Sequence, residues 1–364
     1  MDVEERVRLV ARNTEEVVTL DELRNLFETT ERPKGYIGYE PSGLVHLGWA
    51  ITANKVIDFV KAGFDFTILL ADLHAYANEK LGGVLENIRM CAKYMEHTFT
   101  ALGVPRDKVR YLLATKFVKD MGAEYLEMMI RIARSATLMR IKRSLTILGR
   151  KMEEAEMKFS MLIYPPMQAA DVFLLDVDVA YGGIDQRSVH MLCRDIAPRV
   201  GRKKPIAVHT PLLSGLTGVG RMDIAGKTKE EVLLDTKMSK SLPETCIFVH
   251  DSPEDIRKKI RQAYCPPKDV AFNPVMEINK YLLFARDGFT LEIRRPEKYG
   301  GDLVVESYSE LEQLYLKGEL HPLDLKNATA DALIEFLKPV REYFEKNIEA
   351  KKLLEKMKAI KKTR

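Results

Sequence analysis

The segment DTKMSKSLPET, Asp235 to Thr245, sets Lys237 and Lys240 three residues apart with Met238, Ser239 and Ser241 around them. Serine, threonine and proline favour turns and lysine is a common surface cation, so a solvated turn is one reading. A mobile grip on phosphates is the other. Lysine is a compact charge on a long flexible stem, which suits a loop that closes on a polyphosphate and then releases it. The choice depends on further parts of a phosphate site. One candidate is YEPSGLVHLGWA, residues 39–50, in which His46 and Gly48 fall where a helix begins. Glycine lets a ligand approach the backbone with no Cβ in the way, and the open N–H groups of a helix N-terminus attract phosphate. A lone histidine there is more often a cap or a packed residue, so each motif gains weight only from the other.

A third constellation lies in MLIYPPMQAADVF, residues 161–173. On a helix Tyr164, Gln168 and Asp171, spaced four and three apart, share one face and can line a pocket. Amphipathic packing is the bland alternative, with Met161, Ile163, Met167 and Val172 as core. An aspartate in such apolar company needs a partner, because a buried unpaired carboxylate is costly. A substrate hydroxyl would serve.

These groups need a scaffold. The first 30 residues read as helix, with Thr19 or Asp21 as an N-cap before ELRNLF. GYIGY (35–39) is strand-like and PSG a turn, and Ala53, Val56, Ile57 and Val60 then recur at helical spacing. FDFTILLAD (64–72) is an apolar run of strand length, as a strand covered on both faces requires. A helix from about Val84 to Leu102, then strands in KVRYLL, LDVDVAYGG and PIAVHTPLL, continue the alternation, which predicts a doubly wound α/β sheet with ligands at the carboxyl ends of its strands. From about 115 to 156 a helical, Arg- and Met-rich insertion interrupts it. After about Ile247 the pattern is mostly helical, and the tail EAKKLLEKMKAIKKTR reads as a basic helix with a solvated face.

At 364 residues, 46% hydrophobic and 30% charged, the chain can bury one sizeable core and a smaller second one. A net charge of +4 permits nucleic acid as a partner without requiring it. The four cysteines, Cys91, Cys193, Cys246 and Cys265, form no CxxC pair, which argues against a disulfide framework or a zinc site and for reduced thiols. No apolar run reaches about 20 residues and the N-terminus is charged from its second residue, so no membrane span or secretory signal is expected and the protein is expected in the cytoplasm.

HLG and KMSKS, nearly two hundred residues apart, together resemble the two signatures of the class I aminoacyl-tRNA synthetases, the HIGH motif and the KMSKS loop. The loop match is complete, while Trp49 stands where HIGH has its second histidine. MLIYPPMQAADVF and YGGIDQRSVH (181–190), with NPVMEI, RRPEKYGGDL and ELHPLDLKNA further on, are similar to the tyrosyl-tRNA synthetases of archaeal and eukaryotic type, and this likeness runs over nearly the whole chain. It implies a Rossmann-like catalytic domain at 1–246, with N-terminal helices in 1–30, the insertion at about 115–156 and the lysine loop at 235–243, followed by a mostly α-helical anticodon-binding domain at 247–364.

The same likeness implies the chemistry. Tyrosine and ATP, with Mg²⁺ as its companion, would form tyrosyl-adenylate and pyrophosphate, and tyrosine would pass to the 3′ end of tRNA(Tyr). No tightly bound cofactor and no metal ligands of the protein's own are expected, nor any membrane, and a homodimer is. His46, Lys237 and Lys240 would be catalytic; Gly48, Gly183, Asp185, Met238, Ser239 and Ser241 would join the lysines in holding ATP. Tyr164, Gln168 and Gln186 would hold the substrate ammonium, and Tyr36 and Asp171 its phenolic hydroxyl. Arg140 and Arg187 would meet the first base pair of the acceptor stem. Tyr299, His321, Pro322 and Asp324 would read the anticodon, although HPLDLKN taken alone reads as a helix cap. Tryptophanyl-tRNA synthetase and a non-catalytic tRNA-binding protein on the same scaffold are the alternatives. Asp171 and Tyr36 argue against the first, the intact His46, Lys237 and Lys240 against the second.

Overall fold

The computed structural model describes residues 1–145, 157–218, 226, 232, 236–239 and 242–360. Two compact units are distinguished. The first comprises Met1–Gly43, Lys55–Pro211 and Lys352–Arg364, the second Leu44–Asn54 and Leu212–Lys351.

The first unit is built on one sheet of β1 (Glu16–Val18), β2 (Lys34–Tyr39), β3 (Asp65–Leu70), β4 (Val109–Leu113), β5 (Val179–Gly183) and β6 (Ile206–Thr210), in the order β1-β6-β5-β2-β3-β4. All neighbours are parallel except β1 and β6. The apolar runs predicted the central strands well: β3 buries every residue after Asp65, and β6 buries all of its own. From β2 the chain progresses outward to β3 and β4, and from β5 it progresses the other way to β6. The reversal falls between β2 and β5, where Tyr36 pairs with Ala180. In open α/β sheets the crevice beyond the carboxyl ends of such strands receives the ligand.

The helices α1 (Val3–Ala11), α2 (Leu20–Thr29), α3 (Leu47–Lys61), α4 (Asp72–Ala77), α5 (Leu85–Ala101), α6 (Ala114–Met121), α7 (Ala123–Ser135), α8 (Leu138–Arg143), α9 (Phe159–Leu174) and α10 (Arg187–Val200) accompany this sheet. Asp2 and Glu5 close a capping box on α1, and the Thr19 hydroxyl accepts from Glu22 N at 3.1 Å to start α2. The buried Lys55 ammonium ties the end of α1 down, donating to Leu9 O at 3.1 Å and to Asp58 Oδ2 at 2.9 Å.

The N-terminal 30 residues are not helix throughout. Glu16, Val17 and Val18 pair with β6, and the two β-branched side chains suit a strand once that neighbour exists. The helix α4 directly after β3 was also not expected. The insertion is helical through α6, α7 and α8; its remaining part, 146–156, lies outside the described residues.

The second unit contains α11 (Pro253–Gln262), α12 (Pro274–Ile278), α13 (Tyr308–Lys317), α14 (Pro322–Lys346) and the start of α15 (Ile348–Ala359). α11 packs on α14, and Ile256, Ile260, Leu333 and Leu337 are buried. The helical reading omitted a hairpin of β7 (Leu291–Ile293) and β8 (Leu303–Val305). All four cysteines are free and buried, and no described helix is long and apolar enough to cross a membrane.

Candidate active site

In the first unit α9 carries Tyr164, Gln168 and Asp171 on one face, and Gln168 and Asp171 are buried. Pro165 and Pro166 stand inside this helix and supply no N–H to the turn before them. Asp171 is fully buried, and its Oδ1 accepts from the Tyr125 hydroxyl of α7 at 2.8 Å. The partner expected from a substrate is thus supplied in part by the protein. Asp171 Oδ2 lies 3.1 Å from Nε2 of the buried His74 on α4, but off the line of a hydrogen bond, and neither that oxygen nor either His74 nitrogen has a hydrogen-bond partner.

Tyr36 reaches the same cluster from β2 and is buried. Burial, then the nearby Asp171 carboxylate, pushes its phenol well above the ordinary range. Tyr36 therefore stays a neutral O–H, able to donate or accept. The Tyr164 ring stands edge-on to His74 with centroids 4.9 Å apart. Cys193 belongs to the cluster as well, and burial pushes its thiol up to about 12, which makes it wall rather than nucleophile. Sequence reasoning missed His74 and Tyr125. His74 follows the carboxyl end of β3 and was findable from that position. Tyr125 sits in the insertion, where nothing in its spacing marked it.

Gln186 ends a single 3-10 turn, Ile184–Gln186, that also holds Asp185 and follows Gly183 at the end of β5. Gln168 Nε2 donates to Gln186 Oε1 at 3.1 Å, so the two glutamines expected to share a substrate group are joined. Arg187 is the first residue of α10, and Arg140 on α8 reaches the same helix start, its Nη1 donating to Ser188 O at 3.4 Å. Each holds a carboxylate, Arg140 that of Asp195 at 2.9 Å and Arg187 that of Glu16 at 2.7 Å.

In the second unit His46 is 9% exposed and its Nδ1 accepts from Gly48 N at 3.1 Å. A Cβ on Gly48 would stand 2.8 Å from His46 Cε1, closer than real contacts allow, so this glycine makes room for the imidazole itself. Leu47 N donates to Ile247 O at 3.0 Å and Val249 N to Val45 O at 3.1 Å, which lace the His46 segment to 247–249. Lys237 forms a bridge with Ser214, whose N donates to Glu277 Oε2 at 2.8 Å and whose hydroxyl donates to Oε1 at 3.0 Å. Met238 is buried, with its N donating to Leu213 O at 2.6 Å, and Ser239 O accepts from Leu242 N at 3.2 Å. Lys240 and Ser241 lie outside the described residues.

Tyr299 is 61% exposed in the link between β7 and β8. His321 is the N-cap of α14, its Nδ1 accepting from Leu323 N at 3.1 Å, with Pro322 in the first position and Asp324 in the first turn. The cap read from HPLDLKN is therefore present. Among the described residues no three or more His, Cys, Asp or Glu side chains are grouped to hold a metal.

The model of the class I tRNA synthetases (W and Y) matches residues 28–338. A tyrosine–tRNA ligase of Aeropyrum pernix is 53% identical over 341 residues, which are 94% of this chain and 93% of that one. The crystal structure of tyrosyl-tRNA synthetase from Pyrococcus horikoshii complexed with L-tyrosine is similar with a TM-score of 0.89 at 40% identity, covering 98% of this chain and all of that one. A tryptophanyl-tRNA synthetase of Aeropyrum pernix shares the fold, with a TM-score of 0.67 at 20% identity, covering 95% of this chain and 85% of that one. Likeness at this level over almost the full length is not a matter of isolated motifs: the chain belongs to the tyrosine–tRNA ligase family of class I aminoacyl-tRNA synthetases.

Proposed function

We propose that this chain activates L-tyrosine with ATP and charges tRNA(Tyr). The observation that carries the reading is the buried Asp171, whose Oδ2 has no hydrogen-bond donor, beside the buried phenol of Tyr36. A phenolic hydroxyl can donate to Asp171 and accept from Tyr36, whereas a phenylalanine ring would leave both unpaired. Gln168 and Gln186, with Tyr164, take the ammonium end.

The substrate carboxylate attacks the α-phosphorus of ATP; a new O–P bond forms, the bond from Pα to the bridging oxygen breaks, and pyrophosphate leaves with both electrons and its Mg²⁺. The nucleophile is already ionised, so positioning and cations suffice. His46, Gly48, Gly183, Asp185, Met238, Ser239 and Ser241 hold ATP, and Lys237 and Lys240 take up charge on the leaving group. A terminal ribose hydroxyl of tRNA then displaces AMP from the adenylate, with Arg140 and Arg187 on the acceptor stem and Tyr299, His321, Pro322 and Asp324 on the anticodon. No other cofactor is involved, the domains divide at 246/247, and the enzyme works in the cytoplasm.

A homodimer completes the reading. Leu126 and Ile130 on α7 and Leu138 and Met139 on α8 are all more than half exposed, an apolar surface that a second copy would cover. Light scattering should give twice the chain mass, and Leu126→Glu with Ile130→Glu should give monomers.

Pyrophosphate exchange in the presence of each of the twenty amino acids tests the activity. Exchange with tyrosine alone supports the reading; exchange with tryptophan instead, or tRNA binding with no exchange, overturns it.

A further inference from the structure

Behind the Gln186 turn runs a line of side chains that the proposed chemistry does not use. Glu16 on β1 stands opposite His209 on β6, and Glu16 Oε1 lies 2.8 Å from His209 Nδ1. His209 Nε2 lies 2.9 Å from Nδ1 of His190 on α10, with the two ring planes 19° apart and centroids 5.1 Å apart. Both histidines are fully buried. Arg187 Nε donates to the same Glu16 Oε1 at 2.7 Å.

The polarity of this line follows from its acidic end. A carboxylate only accepts, so His209 donates from Nδ1, and with a single ring proton it presents Nε2 as an acceptor. His190 therefore donates from Nδ1, which fixes its tautomer and ring plane. Burial, then His209 beside it, holds His190 well below the usual imidazole range, so it is an uncharged ring. The charged and titratable groups facing this line are Glu16 from β1, Arg187 and His190 from α10 and His209 from β6.

His190 and Gln186 both approach Gly182. A Cβ placed there would be 2.8 Å from Gln186 Cγ and 3.5 Å from His190 Cε1, so both side chains lie over the bare glycine. They are four residues apart at the start of α10 and so are neighbours on one face. A His190 ring free to turn would leave Gln186 free to leave Gln168.

We propose that His190, oriented by Glu16 through His209, is a positioning residue that holds Gln186 in the amino-acid site. The proposal rests on the assignment of Gln186 to tyrosine given above.

Four variants assayed by pyrophosphate exchange test it: His209→Phe, which keeps a ring but breaks the line; His209→Gln, whose amide can donate to Glu16 and accept from His190; Glu16→Ala; and Gln186→Ala. His209→Phe should raise the KM for tyrosine about tenfold while kcat and the KM for ATP change less than about threefold, and His209→Gln should return the KM to within about threefold of the native value. An unchanged KM in a folded His209→Phe protein overturns the proposal, as does a His209→Gln loss as large as that of Phe. If His209→Phe does not fold, Glu16→Ala, at the partly exposed end of the line, should raise the same KM about threefold, and no rise overturns the proposal. A KM unchanged in Gln186→Ala removes the assignment of Gln186 and the proposal with it; a KM raised there but not in the line variants overturns the proposal alone.

Discussion

Tyr125 donates to Asp171 at 2.8 Å from a helix of the insertion, forty-six residues away in sequence. The bond occupies Oδ1 and leaves Oδ2 without a donor. The two oxygens thus have separate tasks. One is held by Tyr125, and the other is the oxygen proposed to take a substrate hydroxyl. A side chain that does both jobs is sensitive to two different substitutions.

Asp171→Ala should act on selectivity. Removing a charge-assisted hydrogen bond worth about 1.5–3 kcal/mol strands the tyrosine hydroxyl, while phenylalanine has none to strand. The ratio of tyrosine to phenylalanine activation should fall at least about tenfold, since about 1.4 kcal/mol is a factor of ten. Equal slowing of both substrates would mean that Asp171 serves only Tyr125 and the fold.

Tyr125→Phe should act mainly on stability. It leaves Asp171 Oδ1 buried with no donor, a loss of about 1–3 kcal/mol, while the oxygen proposed for substrate is untouched. Denaturant melts should show the loss with tyrosine-over-phenylalanine selectivity kept within about threefold. A collapse of selectivity would place Tyr125 on the substrate itself.

Gly48→Ala should disturb His46 and nothing in the tyrosine pocket, because the new methyl would meet the imidazole at 2.8 Å. The expected result is adenylate formation slowed by about tenfold or more, with tyrosine affinity, read from equilibrium binding, unchanged. Native rates would show that the ring can move aside and that its position is not critical.

Asp324→Ala should reduce charging of tRNA(Tyr) by about tenfold and leave pyrophosphate exchange intact. The helix start itself is secured by His321 and Pro322, so melting should barely change. Loss of both activities, or a marked fall in melting temperature, would reduce Asp324 to a part of the cap.

The sheet and the α9 face were legible because both follow from periodicity. A strand covered on two faces must be apolar throughout, and residues four and three apart must share a helix face, so β3 and the set of Tyr164, Gln168 and Asp171 could be read directly. Partnership across long separations left no such trace. β1 is three residues of ordinary composition whose pairing depends on β6, nearly two hundred positions later. Tyr125 sits in a helix whose apolar stripe explains it equally well as core. Gly48 was read as room for a ligand, and the structure adds a second need, room for His46, which spacing alone does not reveal.

The antiparallel pairing of β1 with β6 also governs how the sheet ends. β6 buries all five of its residues, and without β1 its outer row of N–H and C=O groups would be an open template for a strand from another molecule. Glu16 to Val18 occupy that row over Ala207 to His209, with Glu15 N donating to His209 O at 2.8 Å. Three residues near the start of the chain therefore act as a stopper against intermolecular strand addition, and a preparation clipped before Thr19 would tend to aggregate while keeping its active-site residues.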